Sequence, residues 1–145
     1  MDWTVLVTII SGVLVYVLGQ VLVKLVIDPV QEMKKTIGQI AHARLELEQF
    51  TANPGLMPRD ETKDASGRFR GLASQIEQSL YLIPFYSCTK RIFGLPSEQE
   101  AREAAKYLAG LSNSLFDNIT GNQYEQNAKV MSKICGSLGI HVPAR

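Results

Sequence analysis

The sequence predicts an all-α protein: an N-terminal transmembrane helix followed by a small antiparallel bundle of about four helices. Three observations lead there. No charged side chain occurs from Trp3 to Val23. Behind that run, apolar residues recur at the 3.6-residue period of amphipathic helices, between stops rich in Pro and Gly. No stretch alternates in the way of a half-buried strand. The 145 residues divide accordingly into an anchor, residues 1–27, and a cytoplasmic helical domain, residues 28–145.

At ~1.5 Å per residue, about 20 residues cross a hydrocarbon core of roughly 30 Å. The uncharged run meets that length. Lys24 can remain in the helix by extending its ammonium to the interface, and Trp3 suits the headgroup level at the other end. The many β-branched residues do not argue for a strand, because a lone strand in lipid leaves its backbone groups unpaired. A cleaved signal peptide fits poorly: Asp2 stands where a positive charge is needed, the apolar core is too long, and no small-residue cleavage pattern precedes Asp28-Pro29. A buried core helix would need the rest of the chain to surround it. The basic flank (Lys24, Lys34, Lys35, Arg44) puts the C-terminal domain in the cytoplasm and the N-terminus outside.

One face of the span is small and weakly polar. At 100° per residue, Thr4, Thr8, Ser11, Gly12 and Gly19 fall within an arc of about 100°. Small residues let two membrane helices approach closely, so Thr8, Ser11, Gly12 and Gly19 form a candidate self-association face.

Past the span, Asp28 suits an N-cap, Pro29 a first helical position and Gln31 a capping-box partner; the alternative is one long helix bent at Pro29. A helix over residues 30–51 follows. Its apolar side, Val30, Met33, Ile37, Ile40, Ala41 and Leu47, is close to a heptad seam that can pack on its own domain or on a second copy. Asn53-Pro54-Gly55 ends it, and residues 56–64 read as a charged loop. A third helix, 65–83, carries Phe69, Leu72, Ala73, Ile76, Leu80 and Ile83 at helical spacing. Pro84 ends or bends it, and a short amphipathic piece, 85–93, closes at Gly94. Ser97 and Glu100 form a capping box for a helix reaching about Phe116, with Ala101, Ala104, Ala105, Leu108, Leu111 and Leu115 as its stripe. After a turn at Thr120-Gly121-Asn122, a last helix, 123–138, shows Val130, Met131, Ile134 and Leu138, with Gly139 as C-cap and Pro143 beyond.

Composition narrows the function. Net charge is +1 with acids and bases intermixed, so there is no footprint for nucleic acid. Cys88 and Cys135 read as buried thiols in a reducing compartment. His42 and Glu46 stand at i and i+4, but a metal site needs three or four ligands, and the remaining histidine, His141, lies near the C-terminus. Ser87-Cys88-Thr89-Lys90 matches S-x-x-K without the larger fold that motif works in. Asn118-Ile119-Thr120 is a glycosylation match that matters only if the domain faces a lumen. No catalytic, cofactor or metal residues are expected.

The most informative soluble stretch is Leu80 to Phe93, with Tyr81, Phe85, Tyr86 and Phe93 beside Lys90 and Arg91. It is either a surface element touching the membrane or a partner, or a set of aromatics filling the core; its candidate contact residues are Phe85, Tyr86, Lys90, Arg91 and Phe93. Ser112 and Asn113 place polar groups in a core-forming helix, where they bond across helices or to water.

The runs Asp28-Pro-Val-Gln31, Thr36-Ile-Gly-Gln-Ile-Ala41, Ile83-Pro-Phe-Tyr86, Gly94-Leu-Pro-Ser97 and Gly110-Leu-Ser-Asn-Ser-Leu115 resemble an uncharacterised family of small bacterial single-pass membrane proteins with a helical cytosolic domain. The resemblance covers most of the chain. It implies a bacterial inner-membrane setting and transfers no site residues. The expected function is a membrane-anchored, non-enzymatic interaction or regulatory protein that self-associates and engages an unknown cytosolic protein. The alternative is an oligomerising membrane effector, toxin-like or defensive, whose spans perturb the bilayer.

Overall fold

One helix runs without interruption from Trp3 to Glu46, and its course past Pro29 follows from what proline does to a backbone. The computed structural model describes residues 2–117 and 122–141. Helix α1 (Trp3–Leu22) has no buried residue. Among the described residues it belongs to the one helix long and apolar enough to cross a membrane, and none of its apolar window is covered by the rest of the protein.

A π-helical turn, Val23–Ile27, follows directly, and α2 (Asp28–Glu46) continues from it. Pro29 supplies no backbone N–H, and its ring crowds the carbonyl four residues back, at Leu25. The widened turn precedes that clash: the Asp28 N–H donates to the Val23 oxygen, five residues earlier, so the ladder shifts register and the chain stays helical. The Asp28 N-cap expected with Gln31 is therefore corrected. Asp28 is itself helical, with φ −59° and ψ −49°, and its carboxylate accepts from the Lys24 ammonium at 3.0 Å.

Burial begins at Val30, 2% exposed, and continues through Met33, Thr36, Ile40 and Ala43. Ile37 and Ala41, expected on the seam, flank it half-buried. The expected 30–51 helix breaks at Leu47, which leaves helical geometry at φ −101° and ψ 13°, and a short α3 (Glu48–Ala52) turns Phe50 into the core. Helix α4 (Arg59–Leu82) starts six residues before the expected 65. The charged residues there belong to its first turns: Asp60 and Glu61 suit the positive end of the helix dipole, and the Thr62 hydroxyl donates back to the Pro58 carbonyl at 3.0 Å.

Ile83 is extended, and Phe85 takes left-handed geometry, φ 49° and ψ 47°, before α5 (Tyr86–Phe93), which ends at Gly94 with φ 65°. Helix α6 (Glu98–Ser114) opens on the expected capping box: the Ser97 hydroxyl accepts from the Glu100 N–H at 3.2 Å, and the Ser97 N–H donates to Glu100 at 2.7 Å. Helix α7 (Gln123–Ser137) is followed by Gly139 at φ 67°. Residues 118–121 and 142–145, with the glycosylation match, the Thr120-Gly121 turn and Pro143, lie outside the described residues.

Helix α4 is central, packing on α6 and α2, while α6 also packs on α7. As α2 runs away from α1, α4 returns toward it: Glu46 pairs with Arg68 at 2.6 Å, and Thr36 meets Gln75 at 3.4 Å. Likewise Arg70 donates to Asn113 at 2.7 Å, and Glu77 pairs with Arg102 at 2.8 Å. Ala73 on α4 and Ala105 on α6 line one seam between the two helices, and Met33, Ile40, Phe69, Ile76, Leu108 and Ile134, all fully buried, fill the centre. At the far end Asn127, 2% exposed, donates to the Thr51 carbonyl at 3.0 Å and accepts from Ser114 at 2.9 Å. A buried amide costs stability only when its bonding groups lack partners, and these tie α3, α6 and α7 together.

The Ser97 hydroxyl and backbone N–H hold the Glu100 carboxyl below its ordinary range, with Lys90 adding to the effect. A depressed carboxyl contributes stability above its unfolded pKa and loses it as pH falls through the folded value. Ser97→Ala is expected to cost about 1 kcal/mol near neutral pH and less below about pH 4, measured by thermal unfolding in detergent.

Candidate functional site

Two surfaces carry the residues singled out from sequence. On α1, the Thr8 and Ser11 hydroxyls donate to the Thr4 and Val7 carbonyls of their own helix, at 2.8 and 2.7 Å. A Cβ added at Gly12 or Gly19 meets no atom within 4 Å. The face is thus flat, internally satisfied and uncovered. The helix is regular α from Trp3 to Leu22, so the 100° spacing that groups these residues holds along it. The π turn rotates the register beyond, so this face does not run on into α2. The α2 seam is spent differently: Val30, Met33, Ile40 and Leu47 are all buried in the chain's own core.

The second surface is the corner where α4 passes into α5. The structure splits the aromatics of this stretch. Tyr86 and Phe93 are half-buried and pack against the core, and the Tyr86 hydroxyl donates to the Pro96 carbonyl at 2.9 Å while lying 3.5 Å from the Met33 sulfur. Phe85 is 87% exposed. Tyr81 is exposed, its ring 5.5 Å beneath the Arg102 guanidinium. Lys90 is half-buried and acts on Glu100, whereas Arg91 is exposed with no ion pair among the described residues. Leu82 and Ile92, exposed apolar residues, were not singled out from sequence. For Ile92 a signal existed: on the α5 wheel Tyr86, Thr89, Lys90 and Phe93 share one side, and Cys88 and Ile92 fall opposite.

Phe85 has the one left-handed non-glycine backbone among the described residues. That geometry costs an L-residue roughly 1–2 kcal/mol, and glycine would adopt it freely. The fold therefore holds a bulky, exposed aromatic where an unstrained residue would satisfy the backbone.

The remaining polar groups are arranged as follows. His42 and Glu46 lie 3.2 Å apart on the surface, with Arg68 closing on the same carboxylate. The Arg68 hydrogen bond holds the Glu46 carboxyl below its ordinary value. Arg102 bridges Glu98 and Glu77 at 2.9 and 2.8 Å. Among the described residues no group of three potential metal ligands converges. The expectation of two buried thiols holds for Cys135 alone: burial pushes its thiol up, while Cys88, on the outer side of α5, is exposed. Ser112 is buried and donates to Ala109 of its own helix at 2.7 Å, whereas Asn113 bonds across to Arg70. No protein-family model, curated protein or solved structure matches the chain.

Burial, with the Glu98 and Glu100 carboxylates, pushes the Tyr86 phenol up to about 12. A raised phenol favours the folded state below its unfolded pKa, near 10, and that contribution is lost as pH rises toward the folded value. In an ultraviolet titration, Tyr86→Phe is expected to remove one step ionising at about 12.

Proposed function

We propose that this chain is a membrane-anchored, non-enzymatic interaction or regulatory protein that self-associates through its span. The observation carrying the reading is the contrast between its two halves. Behind Val30 the domain closes its own apolar residues into a core, while the small face of α1 meets nothing in the chain. Close packing of small residues is a main source of association between membrane helices, and Gly12 and Gly19 offer that approach. Burial of the α2 seam leaves the span as the contact between copies.

In this reading α2, α4, α6 and α7 form an antiparallel four-helix bundle on the cytoplasmic side of a bacterial inner membrane, N-terminus outside. The Glu46–Arg68 and Arg70–Asn113 pairings support the bundle. The basic residues Lys24, Lys34 and Lys35 support the orientation. The domain then presents its surface to a cytosolic protein or to conditions at the membrane. A bilayer-perturbing effector is the second reading, and the Thr8 and Ser11 hydroxyls bear on it. Their hydrogens are engaged within α1, so they offer few free donors to line a polar path.

Self-association is read by energy transfer between labelled copies in liposomes over a series of protein-to-lipid ratios. Gly12→Leu with Gly19→Leu is expected to weaken it at least about tenfold, or ~1.4 kcal/mol, with the unfolding transition of the domain unchanged. A wild-type chain that stays monomeric at every ratio overturns the reading.

A further inference from the structure

We infer that the α4–α5 corner is a second membrane contact: Leu82, Phe85 and Ile92 enter the headgroup layer of the bilayer that α1 crosses, fixing the domain against the membrane surface. The inference rests on the reading of α1 as a span.

Position carries the argument. The apolar run ends at Ile27, and Val30 is already 2% exposed, so the domain starts about one helical turn from the span with no linker between. The Glu46–Arg68 and Thr36–Gln75 pairings return the C-terminal end of α4 to the first turns of α2. Tyr86 then reaches Met33, and the Pro96 carbonyl just before α6. Helix α5 thus closes the end of the core that faces the span, with Thr89 and Phe93 turned inward and Cys88 and Ile92 outward. Met33 lies six residues past Ile27, about 9 Å along the axis. The headgroup layer extends roughly 5–7 Å beyond the hydrocarbon on each side. A side chain projecting from α5 toward the span covers the difference.

Chemistry agrees with position. Phe85 is 87%, Ile92 77%, Tyr81 77% and Leu82 53% exposed, large apolar or aromatic side chains that all belong to this one corner. Tyr81 and exposed Arg91 have the apolar stem and polar tip suited to a bilayer interface. Phe85 carries its exposed ring on a left-handed backbone. Charge at this end is mixed: Lys34, Lys35 and Arg91 are exposed, and acids stand among them. Lys90 is turned toward Glu100, Lys24 pairs with Asp28, and Glu98 and Glu100 stand at the same end of the domain. The contact is therefore apolar insertion, effective on phosphatidylcholine and insensitive to salt.

The test uses tryptophan fluorescence of the full chain in phosphatidylcholine liposomes, with and without brominated acyl chains. Trp3 is the single native tryptophan and reports the span. In a Trp3→Phe background, Phe85→Trp and Ile92→Trp report the corner. Leu56→Trp, exposed at the opposite end where Gly55 bonds to Leu115, is the control. The expected result is loss of emission in brominated lipid, at low and high salt, for Trp3 and both corner variants, with Leu56→Trp unchanged. Quenching of Trp3 with none at either corner position overturns the membrane contact alone. A corner tryptophan shielded from aqueous iodide but untouched by brominated lipid overturns it in favour of a protein occupant. Absence of quenching at Trp3 itself overturns both readings.

Discussion

The architecture depends on how one helix gets past Pro29. A proline inside a helix removes a backbone donor and drives its ring against the carbonyl four residues back, which usually breaks or kinks the helix. Here the ladder widens into a π turn at Val23–Ile27, the Asp28 N–H reaches back to Val23, and α2 proceeds to Glu46. Had the helix broken, the apolar span and the domain would be joined by a flexible hinge. Because it does not, the direction of α1 sets the direction of α2, and α2 sets where every other element stands relative to α1. The Lys24–Asp28 pair, at 3.0 Å and exposed, spans the same turn and adds little, as surface pairs do. The backbone register is what holds the junction.

Two features stabilise what is mounted on that helix. Buried alanines on α4 and α6 leave room for close packing, and the large side chains of α2 and α4, Met33, Ile40, Phe69 and Ile76, are fully buried in one core. Polar groups inside the fold are satisfied: among the described residues no buried side-chain donor or acceptor lacks a partner. Asn127 is the clearest case, joining α3, α6 and α7 through Thr51 and Ser114. The apolar residues left in water are therefore confined to the span and to a few positions, of which Leu82, Phe85 and Ile92 gather around α5.

Much of the fold was legible in the sequence because it rests on periodicity. The long apolar N-terminal helix, the α4 stripe from Phe69 to Leu80, the Ser97–Glu100 box and the Gly94 and Gly139 stops are local signals, and each appears where the residues place it. Three departures have tertiary causes. Asp28 carries every mark of an N-cap, but a π turn upstream makes it an interior residue, and no residue type announces that register shift. Residues 59–64 look like a charged loop because they lack apolar residues, yet a first helical turn needs only favourable charge and a back-bonding Thr62. Thr36 replaces Ile37 on the buried side because α2 is aimed by its packing against α4, and a hydroxyl bonded to Glu32 tolerates burial. The candidate surfaces were less legible. The small face of α1 follows from simple angular counting. The corner does not: Phe85 is both exposed and left-handed, and an aromatic residue gives no reason to expect either.

Rigid continuity from span to domain is the claim on which the other readings stand, and a distance distribution tests it most directly. Spin labels at Val15 and Gln39, both exposed, would be placed in a Cys88→Ser, Cys135→Ala background, diluted with an excess of unlabelled chain so that pairs between copies do not contribute, and measured by pulsed electron resonance in liposomes. An unbroken helix places them about 35 Å apart at ~1.5 Å per residue, in one narrow distribution. A broad or two-peaked distribution reaching well below that separation would mean that the chain hinges at Pro29, and would contradict the account.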